Sequence, residues 1–245
     1  MKTITKLITL AMMLCLASGC AANGTTRLSN LIPASKKEAY KRVMIPEVDG
    51  EASYLVLGQY FKNQGIFLMR EDLSSDAVAF NVLSEDKSSS YYEDSLLDKY
   101  MESFYNEKLT LEMQSLVLKV DIEVCEKSHG APTLKKELIS RKVFAPSDYE
   151  AGAYNYAEYW SEGKQVKYFS DSGFKMAKYN GEPCGWWTRT WGLGPDVVQA
   201  VDYGGRQTQG QIESEFGARP AFCLSSSLKI IEDKLDGQTV YRLAD

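Results

Sequence analysis

The sequence has little of the chemistry on which most catalytic motifs depend. It contains a single histidine, His129, which excludes a histidine-based metal cluster and leaves one imidazole for a catalytic triad. It has no G-x-S-x-G, H-E-x-x-H or C-x-x-C motif and no glycine-rich phosphate loop. These absences argue against the common motif-bearing enzymes, and we predict neither a metal nor a cofactor.

One pair of carboxylates is a further candidate for catalysis. Asp148 and Glu150 stand two residues apart in a predicted turn, where their side chains are expected to point away from each other. This spacing disfavours paired-acid catalysis by these two residues.

Basic clusters are missing as well. The formal net charge is −5, and no group of Arg and Lys residues is interleaved with aromatic residues. An acidic chain of this kind does not favour phosphate backbones or anionic headgroups. We therefore expect no nucleic acid partner.

The chain begins with a pattern typical of a targeting segment. Lys2 and Lys6 precede a short apolar run, and the small residues after it end at Gly19-Cys20. This junction resembles the lipobox of bacterial lipoproteins, in which the cysteine becomes a lipidated N-terminus. The alternative is an ordinary secretory signal cleaved nearby. We expect residues 1–19 to be removed and Cys20 to anchor an exported protein to a membrane of the cell envelope.

The remaining chain is long enough for one domain with a sizeable core. Small and polar residues dominate the stretch after Cys20, which is typical of a linker. We predict a lipidated cysteine and tether over residues 20–50 and a single domain over residues 51–245.

The first half of that domain contains strand patterns. Apolar runs at 54–57 and 66–69, bracketed by Gly58 and Gly65, predict a hairpin. Loose alternation over 77–83 predicts a further strand. Val120-Asp121-Ile122-Glu123-Val124 alternates cleanly and predicts a strand with its acids facing water.

Helical patterns lie between these strands. Tyr92, Leu96, Tyr100 and Phe104 recur at helical spacing and predict an amphipathic core helix. Thr110 is placed to cap a second short helix, and Ser147 to cap a helical turn over 148–151. The pattern as a whole predicts an α+β fold with a mixed or antiparallel sheet, one or two packed helices and long irregular loops.

The stretch from Cys184 to Leu224 contains three of the four tryptophans. Alternation from Trp186 to Trp191 predicts a strand with two distinct faces. A second strand is predicted over 197–203, ended by the Gly204-Gly205 turn, and a third over 218–224.

These segments carry a resemblance to an uncharacterised bacterial family of domains of unknown function, over about residues 55–231. Its members close with a W-W-x-R-[ST]-x-G segment, a valine-containing strand with a glycine turn, and G-[VA]-R-P-A. Here the conserved letters of the resemblance fall on Trp186, Trp187, Arg189, Gly217, Arg219 and Pro220. A more distant resemblance is to the C-type-lectin-like fold of formylglycine-generating enzymes, and it carries no function.

The Gly204-Gly205 turn makes a hairpin between the two motif segments natural, which brings them together at the core. We expect Trp186–Arg189 and Gly217–Pro220 to form adjacent strands of one antiparallel sheet. Arg189 and Arg219 either bind a carboxylate ligand or act as buried guanidinium groups stacked on tryptophan and paired with acids or carbonyls. Because the family motif places both arginines in apolar strands, the structural role is favoured.

Other residues leave alternatives open. Cys184 and Cys223 either form a disulfide, as an exported protein allows, or are separate buried thiols. The cysteines are too far apart in sequence to carry over the reactive pair of formylglycine-generating enzymes. Glu182-Pro183 is similar to the Glu-Pro-Asn calcium motif of lectins, but Cys184 replaces the asparagine, which disfavours calcium-dependent sugar binding.

The long aromatic stretch over 155–179 has no clear period, which is typical of a functional loop. Its exposed aromatics would supply contact area for a glycan, peptide or protein ligand. We name Tyr154, Tyr156, Tyr159 and Trp160 as candidate ligand-binding residues. Two hypotheses result: a non-catalytic, lipid-anchored recognition or structural module, and an envelope hydrolase with an Asp/Glu-based site.

Overall fold

Two open β-sheets contain most of the ordered backbone. The computed structural model describes residues 24–34, 40–83, 90–126, 135–153, 161–166, 169, 175–192, 194 and 196–244. Strands dominate and the helices are short, which is compatible with an α+β fold. In the described ranges, no helix is long and apolar enough to cross a membrane.

The first half of the chain forms these elements: β1 (Thr26–Arg27), β2 (Arg42–Glu47), β3 (Gly50–Gln59), β4 (Ile66–Arg70), β5 (Ser75–Ala79), α1 (Leu96–Ser103), α2 (Leu111–Leu116), β6 (Val120–Cys125), β7 (Lys136–Arg141) and β8 (Val143–Phe144). The second half forms these: β9 (Ala177–Tyr179), β10 (Glu182–Cys184), β11 (Trp186–Trp191), β12 (Val197–Val201), β13 (Gln207–Gln211), β14 (Glu215–Ala218), β15 (Ala221–Leu224), β16 (Lys229–Leu235) and β17 (Gln238–Leu243).

The larger sheet has eight strands in the order β1-β16-β17-β2-β3-β4-β15-β8, and the smaller has five in the order β13-β12-β11-β14-β5. Two hairpins, β6–β7 and β9–β10, form separate two-stranded sheets. The predicted hairpin of 54–57 with 66–69 is confirmed as antiparallel β3 and β4. The alternation in β6 is also confirmed, because its valines and isoleucine are buried while its acids are half-buried.

The helices follow the predicted caps. Ser95 begins α1, with its side chain accepting from the backbone N–H of Asp98, and Thr110 caps α2 through Met113. The helix therefore starts at Leu96, four residues after the predicted start at Tyr92, because the serine cap sets the first turn. A π-helical turn over Phe104–Lys108 continues α1.

One prediction about the N-terminal part needs correction. Residues 20–50 were expected to form a tether, yet β1 pairs with β16, and β2 lies between β17 and β3 in the eight-stranded sheet. Leu28 and Leu31 are buried beside β1. Strands β16 and β17 lie about two hundred residues after β1 and β2 in the sequence, so no local pattern indicates these pairings. The lipidation residue Cys20 lies outside the described residues.

The arrangement of the C-terminal motif is also different from the prediction. β11 and β14 are neighbours, as expected, but they are parallel, with Trp186 opposite Gly217. The β12–β13 hairpin extends the sheet on one side of β11, and β14 joins on the other side, so its direction is not set by a hairpin turn. The predicted strand over 218–224 is interrupted at Arg219-Pro220, which divides it between the two sheets.

Aromatic residues fill the core between these elements. Trp187 packs against Phe80 and Phe216, with ring centroids 5.7 and 4.5 Å apart, and its indole N–H donates to the carbonyl of Val78. A Cβ on Gly210 would lie 2.5 Å from the Trp187 ring, so glycine is required at that position of β13. Trp187 thereby joins β5 and β13 to the centre of the five-stranded sheet.

Candidate functional site

The residues first predicted to bind a ligand cannot be placed. Tyr154, Tyr156, Tyr159 and Trp160 lie outside the described residues, as does His129. Their assignment stays a prediction.

A buried ion pair lies behind strand β11. Arg189 donates from Nη1 and Nη2 to the two carboxylate oxygens of Glu150, at 2.6 and 2.9 Å, and both side chains are fully buried. The hydroxyl of Tyr60 and the backbone N–H of Ser147 donate to the same carboxylate at 2.9 and 3.0 Å. Four donors satisfy the acceptor capacity of a carboxylate. Glu150 is therefore committed to holding Arg189 and the turn that begins at Ser147.

A second acid, Glu162, extends this network. Its oxygens accept from the backbone N–H of Cys125 at 2.9 Å and from the hydroxyl of Thr190 at 2.7 Å, and one of them lies 4.0 Å from Nε of Arg189. Burial raises the pKa of Glu162 to about 7, although Arg189 and Thr190 oppose that rise. The Glu162 carboxyl therefore titrates near neutral pH inside the protein.

Gly163 packs directly against this network. A Cβ at this position would lie 2.1 Å from a carboxylate oxygen of Glu150, and the φ angle of +77° lies in the left-handed region. The chain passes so close to the ion pair that a side chain does not fit there.

Arg219 also has a structural environment. It donates to the carbonyls of Arg70 and Glu71, each at 2.9 Å, and its guanidinium lies 5.0 Å from the ring centroid of Trp186 and 5.6 Å from that of Phe169. Both motif arginines are thus buried and stacked on aromatic rings, Arg189 over Phe144 rather than over a tryptophan. Pro220 lies between β14 and β15, and its carbonyl accepts from the backbone N–H of Arg70.

Polar side chains line one face of strands β12 and β13. Gln207, Gln209 and Gln211 alternate along β13 and so point to the same side of the sheet. Gln199 of β12 lies directly opposite Gln209 and shares that side. Gln207 donates from Nε2 to Oδ1 of Asp148 at 2.9 Å, which places Asp148 on the same side.

Lys175 adds a positive charge next to Asp148. Both side chains are 7% exposed, and they interact electrostatically although no nitrogen–oxygen distance between them is within 4.0 Å. Burial raises the pKa of Asp148 to about 6 and lowers the pKa of Lys175. In the part of the chain that the structure describes, the Lys175 ammonium has no hydrogen-bond or ion-pair partner, and the Asp148 carboxylate accepts one hydrogen bond, from Gln207.

Gln199 is the second buried group whose polar atoms are unused. Its side chain is 8% exposed, and its carboxamide makes no hydrogen bond to any residue in the described ranges. Buried polar groups in proteins are almost always satisfied, so such exceptions need an explanation. We call the set formed by Asp148, Lys175, Gln199, Gln207, Gln209 and Gln211 the glutamine face.

Sequence reasoning did not find the glutamine face. The Gln207-Thr208-Gln209-Gly210-Gln211 alternation was the available signal, since three carboxamides two residues apart must share one side of a strand. No local sequence pattern indicates Gln199 or Lys175. The register between β12 and β13 places Gln199 on this face, and the path of the chain places Lys175 there.

The cysteines are separate. Cys184 is half-buried in the β9–β10 hairpin and Cys223 is fully buried in the eight-stranded sheet, and both thiols are free. The disulfide alternative is therefore wrong in this structure, because the two residues belong to different sheets. Burial raises the pKa of Cys223 well above its usual value and that of Cys125 to about 12, so both are held as neutral thiols.

Within the described ranges, no cluster of three or more His, Cys, Asp or Glu side chains is arranged to hold a metal ion. Glu182, from the calcium-like motif, is exposed on β10. Two surface grooves are present among the described residues. One, of about 460 Å³, lies beside α1 and is lined by the Asp98–Arg141 ion pair, while the other, of about 290 Å³, has Tyr60 in its wall.

Comparison with known proteins gives one match. A family model described as "Domain of unknown function (DUF6273)" matches residues 63–226, about two thirds of the chain. A search of the curated proteins and a search of the solved structures each found no match. The matched range includes the motif arginines, the buried ion pair and the whole glutamine face.

Proposed function

The chain belongs to the DUF6273 family of domains of unknown function, and from that premise we propose that it is a lipid-anchored envelope protein with a non-catalytic recognition domain. In this proposal Cys20 carries the lipid, and a C-type-lectin-like scaffold presents a surface to a glycan, peptide or protein. The scaffold proposal rests on the resemblance of the Trp186 and Gly217 segments.

One observation carries the binding proposal: the buried acids Glu150 and Glu162 are committed to the network around Arg189, whereas the polar groups of the glutamine face are suited to holding a ligand. Glu150 has four donors and Glu162 has two. The side chains of Lys175 and Gln199 are buried and make no hydrogen bond to a described residue. The described residues include these donors and acceptors but no nucleophile–base pair, which favours recognition over turnover.

A screen of the full-length chain in detergent micelles tests this proposal. We expect retention on immobilised cell-wall fragments or on a glycan array, and no turnover of esterase, peptidase or glycosidase substrates. Retention that is lost in Tyr159→Ala with Trp160→Ala would also support the predicted aromatic contacts. Turnover abolished by one Asp, Glu or Ser substitution would overturn the proposal.

The second candidate function is hydrolysis, and Asp148 is the observation that favours it. A carboxyl with a pKa near 6 can hold a proton close to neutral pH, as a general acid does. Its neighbour Lys175 is an ammonium rather than a second carboxylate. Loss of any observed turnover in Asp148→Asn, with unchanged stability at pH 4, would favour this candidate.

A further inference from the structure

We propose that the glutamine face binds a neutral carbohydrate. This inference rests on the proposed recognition function and deepens it by naming the surface and the chemical class of the ligand. The contacts are assigned to Gln199, Gln209, Lys175 and the free oxygen of Asp148.

The first argument is the unsatisfied hydrogen-bonding capacity. Lys175 and Gln199 are each more than nine-tenths buried, and among the described residues neither side chain has a hydrogen-bond partner. Leaving such groups unpaired is unfavourable, and an ammonium is worse than an amide. A sequence that retains both on one side of one sheet is explained if a ligand supplies the partners.

The second argument concerns the charge of that ligand. Asp148 and Lys175 bring one acid and one base, so the face attracts neither an anion nor a cation strongly. A neutral ligand matches this balance.

The third argument concerns hydrogen-bond type. Lys175 only donates, ionised Asp148 only accepts, and the carboxamide of Gln199 does both. A hydroxyl group donates and accepts at once, so neighbouring sugar hydroxyls satisfy this mixed set. An apolar or purely acidic ligand does not.

The position of the face on the sheet fits an extended ligand. β13 is an edge strand of the five-stranded sheet, and Gln209 and Gln211 on it are exposed. Tyr203, which is 72% exposed, lies in the turn that joins β12 to β13. Aromatic rings at such positions stack on the apolar faces of sugars. The polar groups of the glutamine face therefore extend from buried Gln199 to the exposed side chains of β13.

Calorimetry on the full-length chain in detergent tests the inference with named probes: chitohexaose, cellohexaose and mannohexaose as neutral sugars, trigalacturonic acid as an anion, and alanyl-alanine as a zwitterion. We expect at least one neutral sugar to bind. Gln209→Ala, at an exposed position where folding is not at risk, should weaken that binding about fivefold. Gln199→Ala with Gln209→Ala should weaken it about tenfold or more. Gln238→Ala, an exposed glutamine on β17, is the matched control and should change nothing.

Lys175→Met gives a second, independent readout. Because the Lys175 ammonium is buried without a hydrogen bond or ion pair to any described residue, its removal should raise the melting temperature of the free protein at pH 4, where Asp148 is protonated and needs no counter-charge, while weakening sugar binding. A higher melting temperature with unchanged binding would mean that ordered water alone satisfies the ammonium, and this would overturn the site.

The remaining outcomes separate the two proposals. If a sugar binds but Gln209→Ala and the double variant bind as the wild type does, the glutamine face is wrong and the recognition function stands. If only trigalacturonic acid or alanyl-alanine binds, the ligand class is wrong. If neither these probes nor the cell-wall fragments are bound, the recognition function fails as well.

Discussion

Arg189 holds together the buried network behind β11. It reaches both oxygens of Glu150 and the carbonyls of Ala145 and Glu123. We expect Arg189→Met to lower the free energy of unfolding by about 3–5 kcal/mol, because the carboxylate of Glu150 is left buried without its counter-charge. Urea unfolding measures this loss.

An exposed ion pair provides the matched control for that prediction. Arg242 contacts Glu51 bidentately at the surface, where water screens the charges. Arg242→Met should therefore cost about 1 kcal/mol or less. Equal losses in the two variants would show that burial of the Arg189 pair has no energetic importance.

Asp148 should make stability depend on pH. Its pKa is raised from 3.8 to about 6 by burial, so the folded state binds the proton more tightly than the unfolded state does. The penalty for ionising it is absent below about pH 4, grows as the pH rises, and is complete above about pH 6. Asp148→Asn should thus stabilise the protein at pH 8, by at most about 3 kcal/mol, and have no effect at pH 4.

Unfolding titrations of both proteins at pH 4, 6 and 8 check this. Glu162, whose pKa is also raised, titrates in wild type and variant alike, so the difference between them isolates Asp148. A stability difference that is constant with pH would contradict the assignment.

At the scale of elements, the most consequential difference from the sequence prediction is β1. If residues 20–50 were a tether, Leu28 would be exposed, but it is fully buried next to β1. Leu28→Ala should then cost about 2–5 kcal/mol. Leu111→Ala, in α2 with 83% of its surface exposed, is the control and should stay within about 0.5 kcal/mol of wild type. A neutral Leu28→Ala would restore the tether interpretation.

Local chemistry was predictable and long-range pairing was not. The cap at Thr110 and the β3–β4 hairpin follow from neighbouring residues, and the structure confirms both. The direction of β14 beside β11 and the placement of β1 beside β16 depend on partners far away in sequence. The sequence indicated that Trp186 and Gly217 meet, but the antiparallel orientation that we expected is wrong.

The candidate site was less predictable than the fold. The spacing of Gln207, Gln209 and Gln211 is visible in the sequence, but their importance depends on Lys175 and Gln199 being buried beside them without partners. Burial without a hydrogen-bond partner is a property of the folded sheet, so no sequence motif predicts it.

At the scale of the whole molecule, the proposed lipid anchor makes a direct prediction. Cells grown with a clickable fatty acid should label the wild-type protein but not Cys20→Ala, because the thiol of Cys20 is the proposed attachment point. Cys15→Ala, a change in the same targeting segment, is the control and should label normally. Equal labelling of wild type and Cys20→Ala would exclude the lipid assignment.

The strand order of the eight-stranded sheet has a consequence for how the protein folds as it is made. Strands β1 and β2, near the start of the described chain, are hydrogen-bonded to β16 and β17, near its end. The sheet therefore stays incomplete until the last strand has been synthesised, and pairings this distant in sequence make folding slow. A chain that folds late stays unfolded for longer, and the export that we propose would require it to cross a membrane before the native sheet forms.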